Sequence, residues 1–323
     1  MSIKYREFIA KYFKIKNKEG KIVPFVFNST QNKYYDQLLL DYPKLTGIRE
    51  NILKARREGM SSFWEGLFTA DFIMGTIGLA PILSGQIVSH KLEEVKSHFQ
   101  RIDLFLDSYL EAKKIPRKQF LTTDNKTSYI KSVSGSELFV GSAGSKVLGR
   151  GGDTQNILWT EIAFYPNTPI INAEDLVVGA EQQVPMGRGK IVRESTGNVV
   201  GDFFYSEFIR GENGESPYKS RFFPWFTHKE YKLPVPPGFK FNPIEQEMRE
   251  AYHLNGDQLY WYHSKMLEFK DINKGRREYP SNVLDSFLSG GSCFFDLPTL
   301  RYYLNKVKTP IHTGLLAPSG VWI

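Results

Sequence analysis

Cysteine is nearly absent from this chain: Cys293 is the only one in 323 residues. A single thiol excludes a disulfide framework and a cysteine-based zinc site, and it fits a reducing compartment. Long apolar runs are missing as well. No stretch approaches the roughly 20 residues that cross a bilayer, and the N-terminus, "MSIKYREFIAKYFKIKNKEGK", is basic without the apolar segment of a secretory signal. These absences exclude secreted and membrane-inserted classes, and no membrane partner is expected. There is no internal repeat and no low-complexity tract. What remains is a chain that is 41% hydrophobic, long enough for one large α/β domain or for a core domain with a smaller companion. Its net charge of +7 and pI near 9.1 permit a polyanionic partner without requiring one.

The apolar pattern reads as strands alternating with helices. Residues 4–14 have the periodicity of a short amphipathic helix. "TGIRENILKA" reads as a strand running into a loop at Gly59, and "SSFWEGLFTADFIMGTIG" as the helix behind that loop. "PILSGQIVSHKLEEVKSHFQRIDLFLDSYLEA" repeats the strand-to-helix order, while "KTSYIKSV" and "SELFVGSAG" alternate like hairpin strands around a Ser-Gly turn. "NILWTEIAF" and "KIVRESTG" are short β-rich runs with polar ends. Together they predict a mostly parallel sheet with its site at the strand C-termini. From about Glu212 the composition turns rich in Pro and aromatics, followed by a helical stretch, which predicts a division into 1–211 and a smaller subdomain at 212–323.

The loop "KARREGMSS", residues 54–62, almost spells a phosphate-binding loop. Such a loop reads G-x-x-x-x-G-K-[ST]: backbone amides cradle the phosphates, a lysine meets the β/γ oxygens and a hydroxyl meets Mg²⁺. Here Gly59 and Ser61 fall in place, but Met60 occupies the lysine position and Lys54 the first glycine. Lys54 can supply the ammonium from the front of the loop if its side chain folds back, and Arg56 adds a second cation. The bland alternative is an exposed basic loop at a helix start.

Four further segments bear on that choice. In "FVFNSTQNKYY", Gln31 could read an adenine edge, or could be an ordinary helix-capping or surface glutamine. Glu161 ends the apolar run of "NILWTEIAF", where a carboxylate would polarise an attacking water. An aspartate usually precedes it to hold Mg²⁺, but this chain has Thr160, so the metal would lean on Ser61 and Thr160, with Glu161 acting through water. Ser195, Thr196 and Gly197 end the next strand run, and Arg150 sits in the Gly-rich "VLGRGGDTQN". Taken singly, these are a solvated carboxylate, a plain turn and a flexible basic loop.

In order and spacing the set is specific. Gln31, then K-x-R-x-x-G-x-S at 54–61, then "GSAG…RGG…ILWTEIAF", then "ESTGN…GDFFYSEF" resembles the ATPase half of the large terminase subunit of tailed bacteriophages. The likeness extends through "FFPWFTHKEY" and "RREYPSNVLDSFLSGGSCFF", which resemble the lid subdomain of such domains. Variant Walker A loops with the lysine moved to the front occur in that family.

The resemblance implies an ASCE/RecA-like P-loop NTPase: a mostly parallel central sheet flanked by helices, with a small C-terminal lid. Gln31 would read adenine, while Lys54, Arg56, Gly59, Met60, Ser61 and Ser62 would form the phosphate loop. Glu161 would be the catalytic base with Thr160 in the Walker B aspartate slot. Ser195, Thr196 and Gly197 would be the coupling motif, and Arg150 a trans-acting arginine finger. ATP and Mg²⁺ are the implied cofactors. The implied partners are double-stranded DNA, the portal protein and the small terminase subunit. The implied assembly is a ring-shaped pentamer that is a monomer in isolation, located in the host cytoplasm and transiently at the procapsid portal. Lys126, Lys131 and Lys146 are candidate DNA contacts. A nuclease of RNase H-like fold would follow in a complete large terminase, and no endonuclease activity is expected of this chain. Two other functions stay open: a nucleotide-dependent binding or assembly module with impaired hydrolysis, and a helicase-like ATPase.

Overall fold

The computed structural model describes residues 4–143, 154–166 and 172–287. Helix α1 (Tyr5–Tyr12) and a two-stranded hairpin, β1 (Lys14–Lys16) and β2 (Ile22–Pro24), lead into α2 (Ser29–Asp41). The repeating unit then begins: β3 (Arg49–Lys54), α3 (Met60–Thr76), β4 (Ser84–Ser89) and α4 (Leu92–Lys113). After the single turn α5 (Arg117–Phe120) come β5 (Leu121–Asp124), β6 (Tyr129–Ser132) and β7 (Glu137–Ser142). The chain continues with β8 (Asn156–Thr160), α6 (Ala173–Glu181), β9 (Lys190–Ser195), α7 (Phe203–Glu212) and β10 (Lys219–Phe223). Four short helices follow: α8 (Pro243–Tyr252), α9 (Gly256–Met266), α10 (Ile272–Glu278) and α11 (Val283–Ser286).

One eight-stranded sheet organises these elements, in the order β10-β3-β9-β8-β4-β7-β6-β5. The strands from β10 to β7 run parallel, and β6 and β5 add an antiparallel edge. Parallel strands covered on both faces must be apolar throughout, and β8 and β9 are buried at every position. Alternate residues therefore serve two cores. Ile52, Leu158 and Val192 pack with α1, α3 and α4, whereas Leu53, Ile157, Trp159 and Ile191 pack with α6 and α7. Helix α3 is buried on nearly all sides, which explains why its sequence is apolar all round.

The sheet runs past the boundary expected at residue 212. Strand β10 lies beyond it and pairs in parallel with β3, Lys219 opposite Glu50 through Phe223 opposite Lys54. The described residues through 287 belong to the compact unit that contains the sheet. The Pro- and aromatic-rich composition hid an edge strand, "KSRFF", whose residues other than Phe223 are exposed or only partly covered. A distinct aromatic cluster does form after that strand, around Trp225, Tyr231, Leu259, Tyr262 and Tyr279. Tyr231 stacks on Trp261 with ring centroids 4.2 Å apart.

The α6/α7 face holds a buried ionic hub. Arg193 of β9, 2% exposed, donates from Nε to Glu181 at 2.8 Å and from Nη1 to Glu207 at 2.7 Å, and lies 3.9 Å over the Tyr218 ring. Trp159 and Tyr218 donate to the same Glu181 carboxylate. Removing one partner of such a pair leaves a buried charge uncompensated. Arg193→Met should therefore lower stability by about 3–5 kcal/mol, read as a shifted denaturation midpoint. A change below about 1 kcal/mol would mean the hub is solvated.

Candidate functional site

The site lies where β3, β9 and β8 end side by side. Register sets Leu53 opposite Ser195 and Thr160 opposite Glu194, so three strand tips share one edge. This C-terminal edge of a parallel sheet is where α/β folds take their ligands. The loop after β3 turns into α3 at Gly59, whose φ of +80° is left-handed and whose added Cβ would meet Gln31 Nε2 at 2.8 Å. Only glycine avoids both penalties there.

The loop is held from two sides. From α2, Gln31 Nε2 donates to the Gly59 carbonyl at 2.7 Å and Asn28 Nδ2 to the Glu58 carbonyl at 3.2 Å. From the C-terminal aromatic region, Tyr231 donates its hydroxyl to the Arg56 carbonyl at 2.6 Å, and the Arg56 amide donates to the Glu278 carbonyl. The exposed Arg56 guanidinium pairs with Glu278 at 2.8 Å. Gln31 also accepts the Asn28 amide as the third residue of the α2 capping box. Its amide is thus a brace of the loop in this structure, the capping alternative that its sequence position left open.

Lys54 is the centre of the site. It is 4% exposed, and its Nζ donates to Glu161 Oε1 at 2.8 Å and lies 3.3 Å from Glu194 Oε2. Burial alone would push the lysine pKa down, but the two carboxylates outweigh it and hold Lys54 above its usual range. Burial would likewise raise Glu161. Lys54 and the Thr196 amide and hydroxyl, at 3.1 and 3.2 Å from Oε2, instead bring it down to about 2. Glu194 is raised, first by burial and further by its neighbour Glu161. Of the two, Glu161 carries the firmer charge.

The sequence-derived residues fall around this triad unequally. Glu161 has φ +52°, a left-handed conformation unusual for a side chain larger than Asn, which turns it off the end of β8 and over Lys54. Ser61, in the first turn of α3, donates to Glu194 Oε1 at 2.6 Å. Thr160 is turned elsewhere: its hydroxyl donates to the Val88 carbonyl and lies 3.4 Å from His98 Nε2. Ser195 accepts the Ala163 amide. Gly197 passes so close to α11 that an added Cβ would sit 1.8 Å from the Ser286 carbonyl oxygen. Met60 is buried in the core and Ser62 is half-buried beside Ser61. Arg150 and Lys146 lie outside the described residues. The sequence reading missed Glu194 altogether. Its signal was a lone carboxylate inside the apolar run of "KIVRESTG", a charge that a fully buried strand does not carry without a partner.

No family model matches this sequence, and no curated protein matches it. Solved structures do. The large terminase of bacteriophage HK97 matches with a TM-score of 0.54 and 12% identity, over 85% of this chain and 53% of that one. This chain shares the fold of the matched part of that structure, a mostly parallel central sheet flanked by helices. The ATPase domain of the Thermus phage P74-26 large terminase, in a point-mutant form, matches at 16% identity with a TM-score of 0.47, over 80% of this chain and 98% of that domain. The chain thus spans about half the length of the HK97 protein. Among the described residues, no helix is long and apolar enough to cross a membrane.

Glu58, inside the loop, is fully buried; its Oε2 accepts the Thr30 hydroxyl at 3.0 Å and its Oε1 has no hydrogen bond among the described residues. Burial pushes its carboxyl up to about 8, against weaker opposing help from Thr30 and Lys54. A carboxyl raised on folding stabilises below its free pKa of roughly 4.3, and this contribution is lost as pH rises through the folded value. Glu58→Gln should accordingly melt higher than the parent at pH 8. The gap should close as pH is lowered toward 4.5, and a pH-independent difference in melting temperature would contradict the assignment.

Proposed function

We propose that this chain is an ATP-hydrolysing domain of the kind that drives viral DNA packaging. The observation that carries this reading is the convergence of Lys54, Ser61 and Glu161 on one edge of the sheet, above the N-terminus of a 17-residue helix. The amides at that N-terminus and the helix dipole favour an anion. Triphosphate oxygens would draw Lys54 away from Glu161, since the ammonium gains more negative charge there. Glu161 would then lose the partner that keeps its pKa low, while burial still acts on it. Its proton affinity rises, which suits a base taking a proton from the attacking water. Bound Mg²⁺ would supply charge neutralisation at the phosphates, with the Ser61 hydroxyl as one of its holders. Thr196, hydrogen-bonded to Glu161, would relay the state of the site through Gly197 to α11, where the backbones touch.

The broader assignment extends from this centre. Double-stranded DNA, the portal protein, the small terminase subunit and a ring of five copies are the partners of a packaging motor, and the net positive charge is compatible with DNA. Lys126 and Lys131, on the β5–β6 hairpin, are the proposed DNA contacts among the described residues. Arg150 is proposed to complete a neighbouring subunit's site. In that case Arg150→Ala and Glu161→Gln proteins, each inactive, should recover turnover when assembled together. One observation favours a second reading, a nucleotide-binding module that does not hydrolyse: Thr160 stands where a metal-holding aspartate is expected. Steady-state phosphate release separates the two.

Lys54→Ala should abolish most ATP turnover, whereas Met60→Ala, which truncates a core side chain, should lower stability by about 2–5 kcal/mol with turnover of the folded protein largely kept. Glu161→Gln should bind a fluorescent ATP analogue as the parent does yet release no phosphate. Parent-like release from Glu161→Gln would remove Glu161 as the base.

A further inference from the structure

The position before Glu161 lacks a carboxylate, and the structure offers another one strand away. Thr160 and Glu194 are register partners on the parallel strands β8 and β9, so their side chains leave the same face of the sheet. Adjacent strands lie only about 4.8 Å apart. Glutamate also reaches one methylene farther than aspartate. Thr160 is turned toward Val88 and His98, whereas Glu194 reaches the first turn of α3.

We propose that Glu194 stands in for the aspartate missing at position 160, so that its carboxylate and the Ser61 hydroxyl together hold the Mg²⁺ that accompanies the nucleotide. Three observations carry this. Ser61 Oγ, the hydroxyl of the phosphate loop, donates to Glu194 Oε1 at 2.6 Å. The Glu194 side chain is 0% exposed, and its Oε2 makes no hydrogen bond among the described residues, only the 3.3 Å ion pair with Lys54. Glu161 is meanwhile engaged by Thr196 and Lys54, which leaves the two carboxylates on separate tasks. A hard, strongly hydrated cation takes one or two carboxylates plus phosphate oxygens, not an all-protein cage. In keeping with that, no group of three or more His, Cys, Asp or Glu side chains among the described residues could hold a metal alone. When Lys54 moves to the phosphates, Glu194 becomes an uncompensated buried anion beside the Ser61 hydroxyl, and a divalent cation relieves it.

The assignment rests on the ATPase reading, and its test separates the two. Binding of a fluorescent ATP analogue to the full chain is titrated across free Mg²⁺ from chelator to excess. Mg²⁺ should tighten binding by the parent. Glu194→Gln should raise the half-effective Mg²⁺ concentration about tenfold or more, in the range typical of perturbed metal sites, each protein being referred to its own Mg²⁺-free binding. Returning the carboxylate to β8, as Thr160→Asp on Glu194→Gln, should recover part of that shift. Should Glu194→Gln fail to fold, Glu194→Asp keeps the charge opposite Lys54 and should still raise the Mg²⁺ midpoint several-fold. A parent-like Mg²⁺ midpoint in the folded variants overturns the role of Glu194 while leaving the ATPase reading intact. Absence of nucleotide binding by the parent at any Mg²⁺ concentration overturns both.

Discussion

One buried ammonium between two carboxylates orders the functional edge of this protein. Lys54 sits at the end of β3, Glu194 near the end of β9 and Glu161 just past β8, and their attraction ties three strand tips together. Removing such groups from water costs several kcal/mol per ion, and only close pairing offsets it. The arrangement is therefore stable while the lysine stays and unbalanced once it leaves. A ligand able to take the lysine must bring negative charge of its own.

The surroundings make sense as supports for that balance. The loop behind Lys54 is a left-handed turn at Gly59, fixed by Gln31 and Asn28 on one side and by Tyr231 and Glu278 on the other. Ala55, the residue after the lysine, is packed in the aromatic cluster built on Trp225 and Tyr279. The loop between β3 and α3 and the C-terminal helices consequently share hydrogen bonds and core contacts, and a change in one meets resistance from the other. A second contact of this kind joins Gly197 to Ser286. On the proposed reading, nucleotide state at the strand tips would have two physical routes to the same set of helices, both through backbone.

Much of this was legible in the residues. The displaced lysine, the glycine of the turn and the hydroxyl at 61 are local chemistry, set by which side chains a strand–loop–helix can present. The alternation of strands with helices likewise predicted the parallel sheet. Charge within an apolar strand was visible too, yet Glu194 went unread because its meaning depends on a partner 140 residues earlier in the chain. Gln31 shows the converse. Its residue type allowed adenine recognition or capping, and the close approach of α2 to Gly59 is what engages its amide.

The sequence by itself determined the fold class and the glycine turn between β3 and α3, because both follow from hydrophobic period and from turn chemistry within a few residues. Tertiary structure alone decided which carboxylate meets Ser61, where Thr160 points and how far along the chain the sheet extends. Strand order explains all three. Placing β9 between β3 and β8 brings Glu194 under the loop, and adding β10 beside β3 carries the sheet past the compositional break at residue 212. Strand order is a property of long-range pairing, and no local pattern in the chain encodes it.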